Sequence, residues 1–170
     1  ATTVKGGNGN DVLTAKGAND VLQGGAGKDT LKVDGAVASA VTLKGGAGID
    51  SFDLSTFKAA NAGSAVTITD LEKGETIKFV TNAAADFKSG KVTLIEEATF
   101  PEYVQEAGTQ AGGQYGVAWF QFNGNTFIVQ DVDATAGFTD GQDIIVKLTG
   151  LVDLSASSFN EAGQGTLLYI

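Results

Sequence analysis

Three copies of a nine-residue pattern near the amino terminus place an aspartate at a fixed distance after a run of glycines. The pattern is Gly-Gly-x-Gly-x-Asp-x-U-x, where U is a large apolar residue, and its copies occupy residues 6–14, 24–32 and 45–53. Glycines let the chain turn through positive φ and bring backbone carbonyl oxygens close together. The aspartate adds a carboxylate, and oxygens of these two kinds are the ligands that calcium prefers. The pattern therefore indicates cation sites lined by oxygen atoms.

A worn copy at residues 15–23 keeps Asp20 and the apolar residue after it, but it has lost three of the glycines. Each copy predicts a turn followed by a strand of three residues, whose middle side chain points inward. One such unit cannot bury its apolar residue alone, so the copies must stack, each against the copy eighteen residues further on. The aspartates Asp11 and Asp29 have this spacing, whereas Asp50 follows after 21 residues, with the three extra residues between 33 and 44. A flexible glycine-rich linker would not repeat an apolar residue two positions after an aspartate.

Residues 4–53 resemble the RTX β-roll of bacterial proteins exported by type I secretion systems. The resemblance implies calcium ions between stacked loops, held by backbone carbonyls and aspartates. The first implied site consists of Gly6, Asn8, Asp11, Gly25, Gly27 and Asp29. The second implied site consists of Gly24, Ala26, Asp29, Gly46, Gly48 and Asp50. A third site around Asp20 would need a partner loop in the degenerate segment 33–44.

The remainder of the chain also favours strands. Alternating β-branched runs at residues 65–69 and 76–80 predict two strands. The stretch between them is similar to the segment that follows β-rolls in the RTX family. Asp70 matches an aspartate of that segment and is a candidate calcium ligand, although a tight turn explains an aspartate at this position equally well. Glu75 replaces the second aspartate of the segment. Asn123-Gly124 between two apolar runs predicts a β-hairpin. We expect the aromatic residues of this hairpin to form core rather than a sugar-binding surface.

These patterns predict an all-β protein in two parts. Residues 1–60 form a calcium-binding parallel β-roll, and residues 61–170 continue and cap it as a β-rich, partly antiparallel region. The chain has no methionine and opens within a repeat, so we expect it to be the carboxy-terminal part of a longer protein.

Composition excludes several functions. The chain has no histidine and no cysteine, which excludes Ser-His-Asp triads and ordinary zinc sites. Paired carboxylates such as Asp131 and Asp133 could support glycoside chemistry in a pocket, but solvated acidic faces are commoner, and we expect no enzymatic activity. Residues 91–170 carry two lysines and ten acidic residues, a net charge of −8. Nucleic acid is disfavoured as a partner because phosphate binding needs a basic patch, and no apolar run is long enough for a membrane span.

The resemblance also implies a biological role. Residues 120–154 look like the ending of type I-secreted surface-layer and adhesin-like proteins, and the tail at 154–170 resembles their uncleaved export signals. We expect a calcium-dependent folding, structural and secretion module at the cell surface or in the extracellular medium. Its expected partners are calcium ions and a type I exporter, with possible self-assembly into a lattice. The alternative is the secretion module of an exported enzyme such as a protease or lipase.

Overall fold

The structure is a computed structural model that describes residues 1–37, 40–59, 61–81, 86–133, 135–159 and 165–169. Its first half is a β-solenoid of about three turns. The strands of this half are β1 (Thr3–Asn8), β2 (Val12–Ala15), β3 (Val21–Ala26), β4 (Thr30–Val33), β5 (Ala36–Val37), β6 (Val41–Ala47), β7 (Ser51–Asp53), β8 (Lys58–Ala59), β9 (Val66–Ile68) and β10 (Thr76–Lys78). Strands β1, β3, β6 and β9 form one wall of the roll and β2, β4, β7 and β10 the other, while β5 pairs with β8 alone.

The stacking register confirms the spacing predicted from the repeats. Thr3 lies against Val21 and Val12 against Thr30, each in a parallel ladder with an offset of eighteen residues. The next coil is offset by 21 residues, with Thr30 against Ser51. The extra residues are therefore taken up before β6, as expected. The inward residue of each strand is buried between the two walls, and this inner row includes Leu13, Leu22, Leu31, Leu43, Phe52, Ile68 and Ile77.

The second half covers the end of the roll. Its elements are α1 (Phe100–Ala111), β11 (Val117–Phe122), β12 (Asn125–Gln130), β13 (Ile144–Leu148), β14 (Ser158–Phe159) and β15 (Thr166–Leu168). Strand β13 pairs in parallel with β9 and antiparallel with β12, and β15 pairs antiparallel with β10. The last strand of each wall therefore has a partner, and the predicted mixture of parallel and antiparallel strands is confirmed. Both sheets cross the boundary at residue 60, so the division into two domains stays a prediction.

The cap is built around the predicted hairpin. Strands β11 and β12 are joined by Asn123 and Gly124, whose φ values of 45° and 73° suit a tight two-residue turn. Trp119 and Phe120 are buried, in agreement with the expectation that the aromatic residues form core. The tail also belongs to the fold, because Leu154 and Leu167 are buried.

Helix α1 was not predicted from the sequence. It begins after Thr99, whose backbone N–H donates to the carboxylate of Glu102 at 2.7 Å. This Thr-x-x-Glu spacing is a signal for a helix start that the strand patterns around it obscured. The helix lies against the hairpin, with the ring of Phe100 4.8 Å from that of Phe127 and the ring of Tyr103 stacked on that of Phe120.

Gly108 sets how closely the helix can approach the loop beside it. A Cβ at this position would collide with the backbone carbonyl of Gly137 and lie 2.8 Å from the nitrogen of Phe138. Alanine is the better helix former by about 1 kcal/mol, yet we expect Gly108→Ala to lower the free energy of unfolding by about 1–3 kcal/mol because the backbones must separate. The measurement is urea unfolding followed by circular dichroism. The control is Gln110→Ala at an exposed position of the same helix, and equal stability of the two variants would contradict the prediction.

Candidate calcium sites

The carboxylates of the repeats lie one above another along one side of the roll. The backbone N–H of Asp11 donates to Oδ1 of Asp29 at 2.8 Å, and that of Asp29 donates to Oδ1 of Asp50 at 2.8 Å. The series continues one step further, since the N–H of Asp50 donates to Oε1 of Glu75 at 3.3 Å. Glu75 stands two residues before the buried Ile77, the same position that each aspartate has relative to its own inward residue. We call these four stacked residues the carboxylate ladder.

The other carboxylate oxygen of each of these aspartates is buried. Oδ2 of Asp11, of Asp29 and of Asp50 has no hydrogen-bond partner among the described residues. Burying a charged oxygen in this way is costly unless an opposite charge compensates it. Burial raises the pKa of Asp50, and the carboxylate of Asp29 raises it further. A bound cation would compensate the negative charge of these oxygens.

Backbone carbonyls converge on the same places. A Cβ added to Gly6 would lie 2.5 Å from Oδ2 of Asp11 and 2.6 Å from the carbonyl oxygen of Gly24 in the next coil. A Cβ on Gly24 would likewise collide with Oδ2 of Asp29 and with the carbonyl oxygen of Gly45. Only glycine fits at these positions, because oxygens from two successive coils occupy the space that a side chain would need. An all-oxygen set of carboxylates and carbonyls suits calcium.

The direction of the carbonyls differs from the implied ligand sets. The carbonyl oxygens of Gly7 and Gly9 point forward onto Gly25 and Gly27 of the following coil. In the opposite direction, the carbonyl of Gly24 points back to Gly6, and the N–H of Gly9 donates to the carbonyl of Ala26 at 2.8 Å.

The first gap lies between the loop at residues 6–9, the lower loop, and the loop at residues 24–27, the upper loop. It is therefore lined by the second and fourth carbonyls of the lower loop and by the first and third carbonyls of the upper loop. The sets implied by the resemblance have the reverse arrangement, with Gly6 and Asn8 from the lower loop and Gly25 and Gly27 from the upper. The same exchange applies in the second gap to Gly24, Ala26, Gly46 and Gly48, because the carbonyls of Gly25 and Gly27 point onto Gly46 and Gly48. The aspartates are the same in both arrangements. Successive peptide groups of the loop alternate in direction, and the repeat spacing does not indicate which set points forward.

A comparison with protein families identifies the repeats at the start of the chain. Residues 3–35 match the family model of the RTX calcium-binding nonapeptide repeat, which contains four copies. This part of the chain is an RTX repeat region. The ion that RTX repeats bind is calcium, and a search of curated proteins gave no significant match to the chain.

RTX repeats occur in secreted proteins and are associated with type I secretion, and the β-roll that they form is typically structural rather than catalytic. Within the residues that the structure describes, no helix is long and apolar enough to cross a membrane.

Asp20, in the worn RTX repeat, has a different environment. Its Oδ1 accepts the N–H of Thr2 at 2.8 Å, and its Oδ2 accepts the N–H of Gly17 at 2.9 Å. These backbone N–H groups lower the pKa of Asp20. The register places the buried Val41 at the corresponding position of the next coil, so no second carboxylate faces Asp20 there. Both oxygens of Asp20 thus hold backbone N–H groups of nearby turns, and its role as a calcium ligand stays a prediction.

Asp70 and Glu75 stand at the end of the RTX roll. The carboxylate oxygens of Asp70 accept the N–H groups of Gly45 and Gly46, each at 3.0 Å. Glu75 is fully buried, and its Oε2 accepts the N–H of Glu72 at 2.7 Å. Burial is the main cause that raises the pKa of Glu75 to about 7, and the charges of Asp50 and Asp70 add to it. Asp70 was among the candidate ligands predicted from the sequence and Glu75 was not, although the spacing of Glu75 from Ile77 was a signal.

A second group of carboxylates lies in the cap. Asp131, Asp133 and Asp143 each place one oxygen within 4.8 Å of the others. Asp143 is buried, and its oxygens accept the N–H groups of Val132 at 2.7 Å and Thr139 at 2.6 Å. Burial raises the pKa of Asp143 to about 6, and the two neighbouring carboxylates raise it as well.

Asp143 should make the stability of the protein depend on pH. Its pKa of about 6 in the folded protein lies above the ordinary 3.8, so the folded state binds more protons between these values. The contribution of Asp143 to the free energy of unfolding is therefore fully present below pH 4 and is lost as the pH rises through 6. Asp143→Asn cannot titrate, so relative to the parent it should gain stability between pH 4 and pH 7. Urea unfolding in the presence of chelator measures the stability of the variant and of the parent at each pH, with the exposed Glu96→Gln as control. A stability difference between Asp143→Asn and the parent that does not change with pH would contradict the prediction.

Proposed function

We propose that the RTX roll binds calcium ions between successive loops and folds only when they are bound. The observation that carries this proposal is the burial of Oδ2 of Asp11, Asp29 and Asp50 with no hydrogen-bond partner in the part of the chain that the structure describes. In the absence of an ion, these negative charges are stacked at close spacing and partly removed from water. An ion between each pair of loops offsets both the repulsion and the loss of hydration. The roll is then stable where calcium is abundant and unstable where it is scarce.

The carbonyl directions specify the ligands that we propose. The first site takes its ligands from Gly7, Gly9, Asp11, Gly24, Ala26 and Asp29. The second takes them from Gly25, Gly27, Asp29, Gly45, Ala47 and Asp50, and the carbonyl of Ala47 points into this gap because it accepts the N–H of Gly27 at 2.8 Å. Each set offers about six oxygens, at the lower end of the usual range for calcium of about 6–8.

The biological role that we propose is a non-catalytic folding and secretion module. The chain would stay unfolded in the low-calcium cytosol, pass through a type I exporter and fold outside the cell. The similarity of residues 120–154 to endings of surface-layer and adhesin-like proteins supports such a context, and self-assembly into a lattice belongs to the same proposal. Calcium-dependent deposition of the secreted protein as an ordered layer on cells would support this context, whereas a protein that remains soluble and monomeric in the medium would contradict it.

Removal of calcium should destabilise the roll. Extracellular calcium modules bind with Kd of about 10⁻⁴–10⁻³ M, and at ten times Kd one site adds about 1.4 kcal/mol to the free energy of unfolding. Two sites add about 3 kcal/mol, a large share of the roughly 5–15 kcal/mol of a typical domain. Calorimetry in excess calcium should therefore show a higher melting temperature than calorimetry in chelator. Identical melting profiles under the two conditions would contradict calcium-dependent folding.

Asp29 should matter more for calcium binding than Asp11, because only Asp29 borders both proposed sites. We expect Asp29→Asn to weaken binding of two ions and Asp11→Asn to weaken binding of one. Asp20→Asn is the matched control, because Asp20 has the same position in its repeat but both of its oxygens accept backbone N–H groups. Isothermal titration of the three variants is the measurement. An equal loss of bound calcium in Asp29→Asn and Asp20→Asn would show that the proposed ligand sets are wrong.

A further inference from the structure

A surface groove in the cap lies between helix α1 and the turn that precedes it. The N–H of Ala98 donates to the carbonyl of Ile95 at 3.0 Å and closes this turn, and the hydroxyl of Tyr103 accepts the N–H of Leu94 at 3.4 Å and holds the turn against the helix. The groove has a volume of about 500 Å³, within the range of about 300–1,000 Å³ that is usual for ligand sites. Its lining includes the apolar Leu94, Ile95, Ala98 and Pro101 and the acidic Glu102 and Glu106.

Ile95 is an apolar residue that the fold leaves uncovered. It is 74% exposed, the highest value among the large apolar residues that the structure describes. A single exposed apolar residue is ordinary, but Ile95 lies in a groove with three further apolar residues. A concave apolar surface of this kind is typical of a place where another molecule binds. We call these four residues, Leu94, Ile95, Ala98 and Pro101, the apolar floor.

The rim of the groove is acidic. Residues 92–113 contain four glutamates and neither lysine nor arginine. Two of them, Glu96 and Glu97, are exposed in the turn, and the other two, Glu102 and Glu106, line the groove from the helix. The two ion pairs in the part of the chain that the structure describes lie elsewhere, so neither of them involves these glutamates. The groove therefore combines an apolar floor with a negatively charged rim.

Glu102 and Glu106 are spaced to receive two positive charges. They are four residues apart on α1, so their side chains lie on the same face of the helix, about 5–6 Å apart between Cβ atoms. The N–H and the hydroxyl of Thr99 donate to the carboxylate of Glu102 and lower its pKa, so Glu102 is charged at neutral pH. Lysines or arginines four residues apart on another helix have the same spacing.

The charge of the chain decides which occupant fits the groove. The chain has a net charge of −9, so a second copy, a nucleic acid or an anionic lipid surface would bring like charges together at the rim. A small cation would leave the apolar floor exposed to water. A helix that carries both apolar and basic residues covers the floor and neutralises the rim at the same time, and amphipathic helices bind apolar grooves in this way.

We propose that the groove is a docking site for a basic amphipathic helix of another protein. An apolar side chain of that helix packs on Ile95 and the rest of the apolar floor, and its lysines or arginines face Glu102 and Glu106. No residue of the roll lines the groove, so this site is distinct from the calcium sites of the proposed function. The cap then has two roles, since it covers the end of the roll and also presents a surface for a partner.

The experiment measures binding of a labelled peptide, made of leucine and lysine arranged as an amphipathic helix, to the full chain by fluorescence anisotropy in excess calcium. We expect Ile95→Asp to weaken binding by about tenfold or more, because a charge replaces an apolar residue at the centre of the interface. Glu106→Gln should weaken binding about two- to fivefold at low salt, and this difference should disappear at high salt. The matched controls are Leu151→Asp, at an exposed apolar residue outside the groove, and Glu72→Gln, at an exposed glutamate of the roll. Both controls should bind the peptide as the parent does.

Several results would overturn this proposal. Equal binding by Ile95→Asp and Leu151→Asp would show that the peptide does not use the groove. Equal binding by Glu106→Gln and Glu72→Gln at low salt would show that the rim does not recognise basic residues, and this comparison decides alone if Ile95→Asp does not fold. A peptide in which alanine replaces every leucine should lose binding, and undiminished binding would show a purely electrostatic attraction. Binding of the parent protein to phosphatidylcholine vesicles but not to the peptide would make the groove a membrane contact instead.

Discussion

The stacking of like charges at the spacing of the coils is the constraint on which the roll depends. Asp29, Asp50 and Glu75 each accept the N–H of the preceding residue of the carboxylate ladder, so the loops can stack only in register. The register in turn decides which side chains point inward, since each strand alternates between core and solvent. The hydrogen bonds that align the loops thus also bring their negative charges together, and the alignment is tolerable only with a compensating cation.

The cap relies on different forces. Its core is an aromatic cluster in which Phe100 contacts Phe127, and Tyr103 contacts Phe120. Burial of such rings is stabilising without any ion. Strand β13 connects the roll to the cap, because it pairs with β9 of the roll on one side and with β12 of the hairpin on the other. An unpaired strand edge invites association with other chains, and β13 and β15 remove the two edges that the roll would otherwise leave at this end.

The parts of the structure that repeat were predictable from the sequence. The nonapeptide spacing predicted the register, the inward residues and the three ladder aspartates. The direction of the carbonyls was not predictable, because spacing does not specify which way an alternating row of peptide groups points. Glu75 was noted only as a replacement for an aspartate and was left out of the candidate ligands, because its longer side chain departs from the pattern, although its backbone position is equivalent. Asp20 matched the pattern, but the degenerate segment 33–44 did not reveal that Val41 takes the corresponding position of the next coil. Helix α1 occurs once and repeats nothing, so only its capping residues could have indicated it.

The position of Trp119 decides what a spectroscopist can observe in this protein. It is the one tryptophan of the chain, it is 2% exposed, and its ring N–H donates to the carbonyl of Ser89 at 3.0 Å within the cap. The three tyrosines are at positions 103, 115 and 169, so residues 1–60 contain neither of the strongly emitting side chains. Intrinsic fluorescence therefore reports on the cap and the end of the chain, and the loss of the first coils would leave the emission unchanged. A tryptophan introduced at the exposed Val12 would make the roll visible to the same measurement.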